Sequence, residues 1–231
     1  MKNNRFDKTF FVEAFSEARM NPYFDRYPGD ERLAIKHYEN NIRFAESLWP
    51  SLSVFEVVMK NTLIRELERM TRNKEWYLFF KVHPALKRLY DYVSIAENHI
   101  IARGETVVAD KINGELTLGF WVSLFNAEYE RYLWKDLRRA FPNMPKSIRQ
   151  RKNISAPLNA IRALRNRVSH NEPISWSLSR LTDLHSTIVT VTRWINISVM
   201  QWLPTVDRYA TVVKNTGNPK VPCKEVHRSA L

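Results

Sequence analysis

The chain has 231 residues, 44% of them hydrophobic, which suits one compact core better than two half-sized ones. Its formal net charge of +12 points to a polyanionic partner, with nucleic acid favoured over an anionic membrane. A membrane span is excluded because the most apolar stretch, residues 188–203, is interrupted by Arg193, Asn196 and Gln201.

Residues 1–13 carry charges and no apolar block of signal-peptide length, so a cytoplasmic location is expected. The lone cysteine, Cys223, suits a reducing compartment and excludes both an internal disulfide and a cysteine-built zinc element. Glycine-rich phosphate loops are absent, which removes the nucleotide triphosphatases.

Apolar residues recur every three or four positions and there are only five glycines, so the fold is predicted to be all-α. Phe10, Phe11, Ala14, Phe15 and Ala18 mark a first short helix, ended by Asn21-Pro22 and the Pro28-Gly29-Asp30 break. Leu33, Ile35, Tyr38, Ile42, Ala45 and Leu48 line a second helix, punctuated by Pro50. Leu52, Phe55, Val58, Met59, Leu63 and Leu67 line a third. Another runs from Leu86 to Ile101 and is closed by Gly104. Between Thr106 and Phe125 the Asn113-Gly114 pair would also fit a hairpin, but helices on both sides of Gly114 are favoured.

Residues 129–141 form an amphipathic stretch, and Pro142 and Pro145 a connector. Two long helices, 148–169 and 178–202, complete the domain, with a kink or restart expected near Ser155 because of Pro157. These elements define a single domain over residues 1–203, followed by a loosely ordered basic tail, 204–231.

The positive charge is concentrated locally. From Leu137 to Asn171 there is no acidic residue, while Arg138, Arg139, Lys146, Arg149, Arg151, Lys152, Arg162, Arg165 and Arg167 are all present. Guanidinium forks match phosphate oxygens, so Arg138, Arg139, Arg149, Arg151, Lys152, Arg162 and Arg167 are candidate RNA-binding residues. The competing reading is a solvated helix face whose acidic partners come from elsewhere, such as Glu66, Glu68 or Asp91. The acidic pairs Glu66/Glu68, Glu128/Glu130 and Asp110/Glu115 have no basic companion suited to metal catalysis, and the other five histidines show no metal-ligand spacing. Hence no metal or cofactor is expected.

The most informative run is Arg162-Ala-Leu-Arg165-Asn166-Arg167-Val168-Ser169-His170-Asn171-Glu172-Pro173-Ile174. It resembles the arginine–polar–histidine motif of HEPN ribonucleases, and in this form that of the Abi-like abortive-infection family. Leu52-Ser-Val-Phe-Glu56-Val-Val-Met-Lys-Asn61 resembles the family's early helix, and Leu118-Gly-Phe-Trp121-Val-Ser-Leu-Phe125 its central segment. The resemblance covers about residues 30–202 and implies a HEPN-type helical bundle. Arg32/His37 and Arg180/His185 share the spacing but lack the polar residue after the arginine, and read as ordinary helix-surface pairs.

Residues five apart on an ideal helix point about 140° away from each other, so Arg165 and His170 do not share a face, whereas Asn166 lies beneath His170. The alternative for His170 is a capping imidazole that bonds the last carbonyls of the helix. Aromatic residues such as Trp121, Trp134, Trp176, Trp194 and Trp202 fall at core spacing rather than as base-stacking platforms.

Cleaving RNA through its own 2′-hydroxyl needs a base, an acid and donors for the developing charge on phosphate. His170, Arg165 and Asn166 are the candidate catalytic residues. One histidine cannot serve as base and acid at once, so a homodimer is expected to complete the site, an arrangement the resemblance also implies. It further implies a metal-independent endoribonuclease of phage defence or of a toxin–antitoxin pair, restrained by a protein antitoxin or a structured non-coding RNA. The alternative is a non-catalytic RNA-binding protein held in complex with a structured small RNA. A DNA-binding regulator is disfavoured because no helix-turn-helix is evident.

Overall fold

The computed structural model describes residues 6–216, and among these the chain is helical throughout, with no strand. Two short helices open it, α1 (Lys8–Phe15) and α2 (Glu17–Arg26), separated by Ser16 at a positive φ of 79°. The Asp7 side chain caps α1 by accepting from the Phe10 N–H at 3.0 Å. The turn expected at Asn21-Pro22 does not form. Pro22 lies inside α2, whose Met20, Tyr23 and Phe24 are buried, and that packing outweighs the local cost of a proline.

The organising element is α3 (Glu31–Thr71), a single helix of 41 residues capped by Asp30, whose carboxylate accepts from the Leu33 N–H at 2.9 Å. The break expected at Pro50 is absent. Buried side chains on both sides of the proline, Phe44, Leu48, Leu52, Phe55, Met59, Leu63 and Leu67, form one stripe into the main core and hold the helix continuous. Pro50 leaves one carbonyl without its helical partner, that of Glu46, a residue on the exposed side.

After α3 come α4 (Tyr77–Val82) and α5 (Lys87–Ala102). Next are α6 (Ala109–Glu115) and α7 (Leu118–Ser123), so the ambiguous stretch is helical. Gly114 lies within α6 rather than between helices. Trp121 is fully buried and its indole N–H donates to the Leu116 carbonyl at 3.1 Å. Residues 127–140 form a run of mixed helical turns that includes α8 (Lys135–Leu137).

Two long helices pack against α3: α9 (Arg151–Ser169) and α10 (Leu178–Ile195). Pro157 sits inside α9 without a restart, in a turn where the Asn159 amide donates to the Ser155 carbonyl at 2.9 Å. The predicted last helix instead breaks at Asn196, which caps α11 (Ile197–Trp202) by accepting from the Val199 N–H at 3.1 Å. Trp202 is 52% exposed rather than in the core.

The tail also differs from its prediction. Up to residue 216 it is ordered, ending in α12 (Tyr209–Thr216), which packs against α3. Tyr209 is buried, stacks on His185 at 4.4 Å between centroids and bonds Thr182 at 3.1 Å. His185 Nε2 and the Asp207 carboxylate lie 2.6 Å apart in a nearly buried pair, so His185 fastens the tail and is not a surface residue. Residues 217–231, with Cys223, lie outside the described residues.

Candidate active site

The motif run forms the end of α9, and its sequence explains how that helix stops. The Glu172 N–H donates to the Arg167 carbonyl at 2.8 Å and the Asn171 N–H to the Val168 carbonyl at 3.1 Å. Asn171 adopts φ 53° between them, giving the Schellman ending that an asparagine tolerates and Pro173 makes terminal. His170 is the last capping residue, its N–H bonded to the Asn166 carbonyl at 2.9 Å. The imidazole itself is exposed and forms no hydrogen bond among the described residues, so it does not cap the helix through its ring.

This end is tied down from three sides. Arg19, on α2, donates to the carbonyls of Asn171 and, at 3.4 Å, His170. Arg167 folds back to donate to the Pro173 carbonyl and lies 3.5 Å from the Glu172 carboxylate. From α3, the buried Asn41 accepts from the Ile174 N–H at 2.7 Å, the Ser175 N–H at 3.2 Å and the Ser175 hydroxyl at 3.0 Å. Its amide donates to the Glu172 carbonyl at 3.3 Å.

One turn below Asn41, His37 bonds the Ser175 carbonyl through Nε2 at 3.3 Å and the Tyr27 hydroxyl through Nδ1 at 2.9 Å. Burial pushes its pKa below the usual imidazole value, with the Ser175 carbonyl acting in the opposite sense. The surface role read for Arg32/His37 therefore does not hold for His37, which is a buried anchor.

Arg165 faces α3, where its Nε meets the Glu56 carboxylate at 3.3 Å. Both side chains are about one-third exposed and border a groove of about 270 Å³ with Trp49, Leu52, Ser53, Val57 and Lys60. A second groove of about 420 Å³ lies beside Asn171, between Val168 and the Ile42–Pro50 stretch of α3. Trp49 lines both grooves. Five residues of helix separate Arg165 from His170 by about 7.5 Å along the axis and about 140° around it, so within one chain the two groups bracket this wall rather than converge. Asn166 is exposed between them, and its amide makes no hydrogen bond among the described residues.

The basic residues divide into two sets. Arg149 is committed to the fold, donating to the carbonyls of Met144 and, at 2.7 Å, Pro142. So is Arg151, which pairs with Glu130 at 2.8 Å and donates to the Phe125 carbonyl at 3.0 Å. These bonds account for both arginines without a ligand. Arg139 is exposed beside Asp136 at 3.1 Å. Arg138, Lys152 and Arg162 make no hydrogen bond or ion pair among the described residues and remain available to phosphate. The acidic counterparts are Glu56, Glu130, Asp136 and Glu172, not Glu66, Glu68 or Asp91.

Glu56, Asn41, His37 and Arg19 were not identified as site residues from sequence, though Glu56 lies in a segment that carried the resemblance. The three such segments are neighbours in space, α3, α7 and α9 packing pairwise. Among the described residues no group of acidic, histidine or cysteine side chains could hold a metal, and no helix is long and apolar enough to cross a membrane. No family model, curated protein or solved structure matches the chain.

Proposed function

We propose that the protein is a metal-independent endoribonuclease of HEPN type, acting in abortive-infection phage defence or as the toxin of a toxin–antitoxin pair. The observation that carries this reading is the exposed His170 imidazole, displayed at the end of the same helix whose Arg165, anchored by Glu56, borders a groove one turn and a half away. The family resemblance of the motif supplies the biological role.

In this reading the scissile phosphate lies along the Trp49 wall of α3. His170 exchanges the proton of the attacking 2′-hydroxyl or of the departing 5′-oxygen, and Arg165 stabilises the charge that builds on the phosphate oxygens. A second copy supplies the second imidazole, because a base and an acid are needed in one turnover. Arg138, Lys152 and Arg162 guide the flanking backbone. DNA lacks the internal nucleophile and survives.

Purified protein incubated with labelled RNA in chelator tests this directly. Cleavage is expected from wild type and is lost in both His170→Ala and Arg165→Ala. Binding without cleavage in wild type would instead favour the non-catalytic RNA-binding protein.

A further inference from the structure

The segment that follows α11 brings a cation to the site. Arg208 lies between two residues committed to the fold. Asp207 pairs with His185 at 2.6 Å and accepts from the Tyr209 N–H at 2.9 Å, while Tyr209 is buried against His185 and Thr182. The Asp207 N–H donates to the Leu203 carbonyl at 3.0 Å and the Val212 N–H to the Arg208 carbonyl at 3.0 Å, so hydrogen bonds fix the backbone on both sides of residue 208. The Arg208 side chain turns outward instead, onto the groove of about 420 Å³ that it borders with Trp49 and with Asn171, the neighbour of His170.

There it meets the Glu46 carboxylate at 2.5 Å, the two side chains being 62% and 64% exposed. A pair so open to water contributes little to stability, and Asp207 and Tyr209 already fasten the tail. The fold therefore does not account for Arg208 as it does for Arg149 and Arg151. The arrangement repeats the one at Arg165. Two arginines from different parts of the chain each rest against a glutamate of α3, Glu56 on one side of Trp49 and Glu46 on the other, about 15 Å apart along the helix.

We propose that Arg208 binds the RNA backbone, engaging a phosphate that flanks the scissile one where the strand passes Asn171. The inference deepens the ribonuclease reading and rests on it for the identity of the polyanion. Arg165 borders the other groove, so the phosphate beside Asn171 is served by Arg208. Glu46 occupies the guanidinium when no RNA is bound. Its carboxylate is mostly solvated and gives way at small cost, and the fork then turns to two phosphate oxygens, a planar bidentate match. Because the backbone at 208 is ordered beforehand, little further freedom is lost on binding.

The test uses the full chain with a labelled single-stranded RNA, and as binding probe the 2′-O-methyl form of the same RNA, which lacks the nucleophile. Arg208→Gln is expected to weaken probe binding about tenfold and to leave Tm nearly unchanged. It should also reduce the salt slope by about 0.7 and, in cleavage, act on KM more than on kcat. Arg208→Lys should recover part of the loss. Glu46→Gln frees the guanidinium and should tighten binding about threefold. A tether that only holds the tail would give both variants the same sign and lower Tm in both. An unchanged salt slope in Arg208→Gln, a shift of binding in one direction by Glu46→Gln and Arg208→Gln, or a wild type that does not bind the probe would overturn the proposal. Binding with this dependence but no cleavage of the unmodified RNA would remove the chemistry and keep the Arg208 contact. Cleavage with a KM indifferent to Arg208 would keep the chemistry and remove the contact.

Discussion

Glu56 and Arg165, 109 positions apart in the chain, meet at 3.3 Å across the junction of α3 and α9. Both are partly solvated, so the pair contributes about 1 kcal/mol or less to stability and acts mainly by fixing where the guanidinium points. Glu56→Gln is therefore expected to lower Tm by less than about 4 °C while reducing RNA cleavage by about tenfold. Calorimetry beside a cleavage assay checks this. A large loss of stability with normal activity per folded molecule would contradict it.

Asn41 carries a heavier structural load. Replacing it with alanine strands the buried Ile174 and Ser175 N–H groups, for a cost of about 3 kcal/mol, seen as a shift in the urea midpoint. The same change releases the loop behind His170, so activity should fall further than the unfolded fraction explains.

His37 makes this anchor pH-sensitive. Its folded pKa lies below the ordinary value of 6.5, so its contribution to stability is complete above that pH and is lost as pH falls through the folded value. The charged and titratable side chains around it include Tyr27, which bonds it, Tyr23, whose ring packs edge-on at 5.5 Å, and Arg26, which disfavours its protonation. Unfolding free energy should decline below pH 6.5 in wild type, with a shallower decline in His37→Gln.

How far these features could be read from the sequence depended on their range. The all-α class and the site's helix end were legible, because helical periodicity and the proline at 173 are local signals, whereas the part Asn171 plays in the ending emerges only from its positive φ. Pro22 and Pro50 misled, since each was read as a break where buried neighbours such as Leu48 and Leu52 keep the helix running, and at Pro157 the helix does not restart. The tail at 204–216 was read as loose because its polar composition hid the buried Tyr209 and an aspartate, Asp207, that pairs with His185 of α10. Asn41's grip on Ser175, 134 positions away, leaves no trace in spacing at all.

The two sets of basic residues should behave differently. Substituting Arg138, Lys152 or Arg162 with alanine is expected to leave Tm nearly unchanged and to reduce the salt slope of RNA binding by about 0.7 for each phosphate no longer neutralised. Arg149→Ala should instead destabilise the fold by about 2 kcal/mol, because two carbonyls are deprived of a charged donor, and should leave the salt slope alone. Filter binding across a salt series, with melting curves, separates the two.

The ends of the RNA products test the chemistry most directly. Attack by the internal 2′-hydroxyl leaves a 2′,3′-cyclic phosphate and a 5′-hydroxyl, and these ends are predicted from wild type in chelator and absent with His170→Ala. Products bearing 3′-hydroxyl and 5′-phosphate ends, or cyclic phosphate formed equally well without His170, would contradict the account.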